Sequence, residues 1–105
     1  METLFNQAFP SLENNKVYLF YADVKTFSTH DKTKYISWFD KSELSRLNAF
    51  YFDKDKTLFL VSHSLLRLVL SHYTQAHPRE IEFKINAYGK PFLQSHPQIS
   101  FNLSH

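Results

Sequence analysis

Three kinds of apolar pattern along the chain predict its helices and strands. The longest pattern runs from Lys54 to about Tyr73, where apolar residues return every three or four positions, as on one face of a helix. Its members are Leu58, Val61, Leu65, Leu68 and Val69. Ahead of it, Asp40 and Glu43 have the spacing of a capping box, which predicts a shorter helix from there to about Tyr51. Asp53 is predicted to cap the long helix.

Shorter apolar runs predict the strands. The β-branched and aromatic run Val17 to Tyr21 predicts a buried strand, and the strict alternation from Ile81 to Ile85 predicts a half-buried one. Lys90 to Leu93 is expected to be extended, because proline disfavours helix at the residue before it. Ile99 to His105 is predicted to be a last strand. The polar stretch Asp23 to Lys34 is predicted to be a loop.

Composition narrows the class of protein. A length of 105 residues with 43% apolar residues fits one folded domain, and we take residues 1–16 as a lead-in segment. No apolar run approaches the roughly 20 residues of a membrane-spanning helix, and the first ten residues lack a signal peptide's basic start and long apolar stretch. The absence of Cys excludes disulfides and Cys-based zinc sites. Together these features favour a cytoplasmic protein.

Charge and aromatic content add two constraints. A net charge of +2 is too small to favour wrapping of nucleic acid, so any anion site must be local. The six histidines have no partners at metal-ligand spacing, so no zinc site is predicted. Aromatic residues make up 17% of the chain and glycine occurs once. The core must therefore be bulky, or it continues onto a partner surface.

The single glycine lies in the sequence Tyr88-Gly89-Lys90-Pro91. The simpler interpretation is a turn in which Gly89 supplies a positive φ angle and Lys90 is solvated. The functional interpretation is a phosphate or nucleotide site: glycine lets a ligand approach the backbone, lysine supplies charge, and proline offers a rigid apolar face. Spacing alone favours the simpler one.

Two further groups of polar residues also have both a structural and a functional interpretation. Ser104 and His105 are adjacent on a predicted strand and point to opposite faces, so they are not a nucleophile and its base. They could bind a phosphate, but by themselves they are an ordinary strand end. Arg46 and Arg67 lie on the predicted helices, where arginine is usually a surface or salt-bridge residue. His63 is expected to pack or to lie at the surface.

Five short pieces follow one another in an order that resembles a known family. They are Phe50-Tyr51, Leu65-Leu66-Arg67-Leu68-Val69-Leu70, Ile81-Glu82-Phe83, Tyr88-Gly89-Lys90-Pro91 and Phe101-Asn102-Leu103-Ser104-His105. Together they resemble the N-terminal half of a two-lobed 4′-phosphopantetheinyl transferase of the type found in surfactin and siderophore synthesis. The resemblance covers roughly residues 17–105. Its most specific part is the Gly-Lys-Pro triplet followed about ten residues later by Phe-Asn-Leu-Ser-His.

The resemblance implies an α+β fold in which a small, mainly antiparallel sheet packs against one long and one short helix. Such enzymes transfer the 4′-phosphopantetheine arm of coenzyme A to a serine of an acyl or peptidyl carrier protein, in fatty acid, polyketide or nonribosomal peptide biosynthesis. They use Mg²⁺ and release 3′,5′-ADP. Coenzyme A lies in the cleft between two similar lobes. Residues 17–105 would form the N-terminal lobe and supply its nucleotide-binding part.

The resemblance also implies which residues bind the nucleotide. Lys90 and Pro91 would border the adenine, and Ser104 and His105 would contact the phosphates. Arg46 falls where the family keeps a basic residue for the 3′-phosphate. Such a multiply charged ligand favours several cationic donors from different elements.

Gly89 would allow close approach of this ligand, and Asn102 would hold the edge of the final strand. The chain also departs from the family. Some members carry another basic residue where this chain has Glu43, so Lys41 or Lys56 would have to substitute. The family's metal-binding G-[IV]-D-x-E strand and W-x-x-K-E-x-x-K helix have no counterpart in residues 1–105. The chain alone is therefore expected to be inactive or nearly so, since phosphoryl transfer depends on the metal.

Two expectations about partners follow. The face that a second lobe would cover is expected to be exposed and aromatic-rich, and to drive self-association unless that lobe is present. The alternative function is a non-catalytic module that dimerises or binds a carrier protein. Binding of nucleic acid or of a membrane is not expected.

Overall fold

Three helices and one β-hairpin form the part of the chain that the computed structural model describes, which is residues 9–14, 16–26 and 29–103. The helices are α1 (Thr29–Ile36), α2 (Lys41–Ala49) and α3 (Asp53–Thr74). The strands are β1 (Lys84–Ile85) and β2 (Pro91–Phe92), and short 3₁₀ turns occur at Val24–Thr26 and Pro78–Glu80. This arrangement confirms the α+β class with a small antiparallel sheet.

The short helix α2 begins as the sequence predicts. The Asp40 carboxylate accepts a hydrogen bond from the Glu43 backbone N–H at 2.8 Å, and the Glu43 carboxylate accepts one from the Asp40 N–H at 3.0 Å. This reciprocal pair satisfies two donors that a helix start otherwise leaves open. The predicted capping box is confirmed.

The long helix α3 is also confirmed, with one correction at its start. Phe52 is the N-cap residue and makes no side-chain cap, whereas Asp53 is the first helical residue. Asp53 and Asp55 instead place negative charge in the first turn, where it interacts favourably with the helix dipole. The helix ends at Gln75, which has the left-handed φ of 62°.

Two clusters of buried side chains pack on opposite halves of α3. The first joins α3 to α1, α2 and the turn after α1, and consists of Tyr35, Trp38, Phe39, Leu47, Phe59, Leu60, Val61 and Leu65. The second joins α3 to the hairpin region, and consists of Leu70, Ile81 and Leu93 with Leu66, Ala76, Phe83, Ile99 and Phe101 partly buried around them. At 22 residues, α3 is about 33 Å long and connects the two clusters.

The hairpin is shorter than the predicted strands. Lys84 pairs with Phe92 and Ile85 with Pro91, in antiparallel register. Proline has no N–H to give to a sheet, which limits the pairing that β2 can make. Ile81 is buried although it lies outside β1, and the exposed fraction of Ile85 is 64%.

The predicted strand from Val17 to Tyr21 is wrong. The segment is not part of a sheet, and no backbone hydrogen bond joins it to another described segment. Val17 and Leu19 are 96% and 85% exposed, while Phe20 packs against Phe9 and Tyr73 at ring-centroid distances of 5.8 and 6.2 Å. Its apolar alternation matches an extended segment, but a strand also needs a neighbour for its backbone groups.

Two other predictions need correction. The stretch Asp23 to Lys34 contains most of α1, which the polar composition did not indicate; α1 forms because Tyr35 and the residues after it bury themselves against α3. Residues 99–103 are not a strand either, although Phe101 packs on Phe83 at 5.8 Å. The rest of that predicted strand, Ser104 and His105, lies outside the described residues. No described helix has the length and apolar content to cross a bilayer.

Candidate functional site

The hairpin loop from Asn86 to Lys90 is held by hydrogen bonds of its own. The Asn86 side-chain oxygen accepts from the backbone N–H groups of Tyr88 and Lys90, both at 2.9 Å. The Asn86 N–H donates to the Lys90 carbonyl at 2.9 Å, and the Gly89 N–H donates to the Asn86 carbonyl at 3.0 Å. Gly89 has φ of +81°, so the predicted positive φ is confirmed. The loop backbone is therefore fixed although every residue in it is exposed.

This loop presents groups that suit a nucleotide. The space around Gly89 is open, since a Cβ placed there would meet no atom within 4 Å. Lys90 offers an ammonium group beside that open backbone. Pro91 is exposed, and Tyr88 is 95% exposed. A phosphate could pair with the lysine while a purine ring lies on the proline or tyrosine face.

The segment before the end of the described chain runs beside the base of the hairpin. Ile99 and Phe101 pack into the second cluster, and Asn102 between Phe101 and Leu103 is exposed. Asn102 is thus near the hairpin region, but no sheet edge is present there for it to hold. Ser104 and His105 lie outside the described residues, so their convergence with the loop stays a prediction.

Arg46 lies on a different part of the molecule from the loop. It is exposed in the last turn of α2, and its guanidinium carbon lies 5.1 Å from the centre of the Phe59 ring. The hairpin region packs around Leu70. Leu70 is 11 positions after Phe59 on α3, which is about 16 Å along the helix axis.

A buried cluster of charged and polar side chains, which the sequence did not predict, connects α2 with the hairpin region. Glu43, His63 and Arg67 are 4%, 9% and 1% exposed. Arg67 donates from Nε to both Glu43 carboxylate oxygens at 3.0 and 3.1 Å, and from Nη2 to Glu43 Oε1. His63 Nδ1 lies 3.0 Å from the other carboxylate oxygen, and its ring stacks on Phe59 at 4.0 Å.

Arg67 also reaches the segment that leads into the hairpin. Its Nη1 donates to the carbonyl oxygens of Pro78 at 2.7 Å and Ile81 at 3.0 Å. Its guanidinium carbon lies 5.1 Å from the centre of the Phe83 ring. A single side chain therefore contacts α2, the 3₁₀ turn after α3 and the first half of the hairpin.

The Glu43 carboxylate is ionised at neutral pH in spite of its burial. Burial by itself raises the pKa of this carboxyl, but hydrogen bonds from His63, Arg67 and the Asp40 amide act together with the arginine charge to lower it. The net result is a pKa below the ordinary value of 4.5. Glu43 and Arg67 therefore form a buried ion pair.

The sequence contained part of the signal for this group. His63 and Arg67 are four positions apart and so share a face of α3, and Glu43 is the third residue of a capped helix. What the sequence did not show is that the capping glutamate faces α3. Glu43 therefore does not occupy a solvent-facing phosphate-binding position. Substitution by Lys41 or Lys56 for the basic residue that some family members have there stays a prediction.

The described residues contain no cluster of metal-ligating side chains. Within residues 9–14, 16–26 and 29–103, no three His, Cys, Asp or Glu side chains are grouped so that they could hold an ion. The Mg²⁺ that the resemblance implies stays a prediction.

A shallow cavity of about 160 Å³ lies at the base of the hairpin. Its polar lining includes Glu80, Glu82, Lys84 and His96, and it is not lined by any predicted site residue that the structure describes. It is smaller than the roughly 300 Å³ at which ligand pockets begin.

Comparison with known proteins connects this arrangement to one family. Residues 26–105 match the family model described as "4′-phosphopantetheinyl transferase, N-terminal". The chain is 29% identical over 90 residues to the 4′-phosphopantetheinyl transferase Sfp of Bacillus subtilis. The matched residues are 86% of this chain and 40% of that protein. It is 35% identical over 66 residues to the 4′-phosphopantetheinyl transferase HetI of Nostoc, covering 60% of this chain and 28% of that one.

A eukaryotic protein is similar as well. The L-aminoadipate-semialdehyde dehydrogenase-phosphopantetheinyl transferase of Schizosaccharomyces pombe is 29% identical over 96 residues, covering 86% of this chain and 37% of that protein. The chain thus spans at most 40% of the length of these relatives.

Proposed function

The chain belongs to the 4′-phosphopantetheinyl transferase family, and from this premise we propose that it supplies the coenzyme A nucleotide-binding lobe for transfer of the phosphopantetheine arm to a carrier-protein serine. The observation that carries the proposal is the fixed loop from Asn86 to Lys90. It presents an open glycine backbone, an ammonium group and an exposed proline at one corner.

In this proposal the loop borders the adenine and its phosphates. Lys90 supplies a point charge, and Gly89 lets the ligand approach the backbone because no side chain stands there. The Asn86 hydrogen bonds fix the loop before the ligand arrives, so little backbone entropy is lost on binding. Pro91 offers a flat apolar surface to the base. Ser104 and His105 remain proposed phosphate contacts.

Arg46 is proposed to bind the 3′-phosphate. Its guanidinium is exposed and rests over the Phe59 ring, which restricts its side-chain freedom. The 3′-phosphate of coenzyme A is on the ribose that carries the adenine, so Arg46 and the loop would have to bind the same end of the ligand.

Among the described residues, no three His, Cys, Asp or Glu side chains are grouped so that they could hold a metal ion. When bound to the complete family fold, the metal would stabilise charge at the transferring phosphate. We therefore propose that a polypeptide of residues 1–105 binds the nucleotide but does not by itself transfer the arm to a carrier protein.

An apolar surface supports a second lobe as a partner. Val17 and Leu19 point outward from the extended segment at 96% and 85% exposure, while the alternate residues Tyr18 and Phe20 are half-buried. Apolar residues on both faces of an extended segment are typical of one covered on both sides. We propose that a second lobe of the same family fold covers this face, and that in the 105-residue polypeptide a second copy takes its place.

Isothermal titration of coenzyme A and 3′,5′-ADP into the purified chain tests the nucleotide proposal. We expect binding that Lys90→Ala and Arg46→Ala each weaken by about tenfold, the usual scale for one charged hydrogen bond. Lys32→Ala, an exposed lysine on α1, is the matched control and should bind as wild type does. Absence of binding by a folded wild type, or equal binding by Lys90→Ala, would overturn the proposal. Absence of binding together with dimer formation would favour the non-catalytic dimerising module.

A further inference from the structure

We infer that Arg67 is a positioning residue that holds the two separate parts of the nucleotide site in a fixed relation, an inference that rests on the proposed function of that site. Arg67 is 1% exposed and cannot itself touch a ligand. Its contacts nevertheless lead to both parts. One side of its guanidinium binds α2, and the other binds the segment that enters the hairpin.

The first set of contacts, called the α2 arm below, connects Arg67 through Glu43 to Arg46. Arg67 binds both oxygens of the Glu43 carboxylate, and that same carboxylate accepts the Asp40 N–H that begins α2. Arg46 is three positions after Glu43, so it lies one helical turn further along the same helix. The position of Arg46 relative to α3 is thereby fixed at the helix start.

The second set of contacts, called the hairpin arm below, connects Arg67 through two carbonyl oxygens to the hairpin. Arg67 Nη1 binds Pro78 and Ile81, which enclose the turn between α3 and β1. Its guanidinium also lies over Phe83, which in turn packs on Phe101 beside Asn102. The hairpin has only two pairs of residues in register, so its position depends on the second cluster and on these Arg67 contacts.

Arginine is required for this arrangement by its geometry. The guanidinium has five N–H donors in a rigid fork, and here they point to a carboxylate and to two carbonyls at the same time. A lysine keeps the charge but has a single ammonium group that cannot reach both arms. Buried ion pairs often add little stability over well-packed apolar residues, so a geometric role is the better account of this one.

The first experiment measures the hairpin without any ligand, by hydrogen exchange of the Asn86 and Gly89 amides, whose N–H groups are bonded inside the loop. In Arg67→Lys we expect both amides to exchange at least about tenfold faster relative to the Leu65 amide in mid-α3, because losing one charged hydrogen bond shifts local opening by about that factor. Arg79→Lys, an exposed arginine in the adjoining turn, is the matched control and should leave the ratio unchanged. An unchanged ratio in folded Arg67→Lys would overturn the inference.

The second experiment measures the link to the site. In Arg67→Lys the affinity for 3′,5′-ADP should fall by about tenfold at a temperature where circular dichroism shows the variant folded. The same substitution in a Lys90→Ala background should cost much less, because the hairpin arm then has no lysine to position. Equal losses in both backgrounds would show that Arg67 acts only on overall stability.

A further variant covers the case in which Arg67→Lys does not fold. Glu43→Gln disturbs the α2 arm and leaves the Pro78 and Ile81 contacts in place, so it should weaken the Arg46 contribution to binding while hairpin exchange stays at the wild-type rate. Faster hairpin exchange in Glu43→Gln would contradict the two-arm description. If the wild type does not bind nucleotide at all, the proposed function fails, while the exchange ratio still decides whether Arg67 positions the hairpin.

Discussion

Replacing Glu43 by glutamine tests the buried ion pair most directly. The substitution keeps the size of the side chain and an oxygen for the capping box, but removes the charge that balances Arg67. Arg67 is 1% exposed, so its guanidinium would lose its main partner without gaining water. Removing one member of a buried pair costs roughly 3–5 kcal/mol, and the hydrogen bonds that glutamine retains favour the lower end, about 3 kcal/mol.

A loss of this size is measurable and leaves the protein folded. A chain of this length has a free energy of unfolding of about 5–15 kcal/mol, so Glu43→Gln should remain native at room temperature. The expected decrease in Tm is about 12 °C, taking roughly 4 °C per kcal/mol for a domain of about 100 residues. Urea unfolding monitored by the fluorescence of Trp38, which is buried in the first cluster, gives the difference in unfolding free energy.

The pH dependence of that difference identifies its cause. The folded-state pKa of Glu43 lies below its ordinary value of 4.5. The ionised carboxylate therefore contributes its full stability above pH 4.5, and this contribution is lost as pH falls through the lower folded-state pKa. The gap between wild type and Glu43→Gln should be constant from pH 7 to pH 5 and should narrow below pH 4.5.

Glu80→Gln is the matched control for this measurement. Glu80 also closes a capping box, through a 3.1 Å hydrogen bond from the His77 N–H, but it is exposed at the surface. Its substitution should change the unfolding free energy by less than about 0.5 kcal/mol. The ion-pair argument is refuted if Glu43→Gln costs no more than Glu80→Gln at pH 7, or if its cost does not change on acidification.

Three further outcomes are expected. Gly89→Ala should lower the unfolding free energy by about 1 kcal/mol in urea titrations, because φ of +81° is strained for alanine even where no atom blocks the new Cβ; an unchanged midpoint would contradict this. Ser64→Ala should be neutral or raise the Tm, because the fully buried Ser64 hydroxyl has no hydrogen-bond partner among the residues that the structure describes; a loss above about 1 kcal/mol would show a partner for it. The 105-residue chain should sediment as a dimer at tens of micromolar, and Val17→Ser with Leu19→Ser should make it monomeric while circular dichroism shows it folded; a monomeric wild type would contradict the proposed covered face.

The candidate site was predictable where it depends on the local backbone. The Gly-Lys-Pro triplet after an alternating run indicated a turn with positive φ at Gly89, and the structure has it. Glycine is the residue that adopts this conformation without strain, so a few neighbouring residues were enough. That Arg46 and the hairpin region pack against different parts of α3 could not be predicted, because tertiary packing decides it.

Local interactions determined α2, α3 and the hairpin turn from the sequence alone. A capping box, a helical spacing of apolar residues and a glycine turn each involve residues within a few positions of one another, so their energies can be judged without the rest of the fold. Tertiary structure decided the remainder. Helix α1 forms in a polar stretch because Tyr35 is buried against α3, and the segment from Val17 lacks the neighbour that would make it a strand. The Glu43–Arg67 pair joins residues 24 positions apart, and only packing of α2 on α3 removes both charges from water.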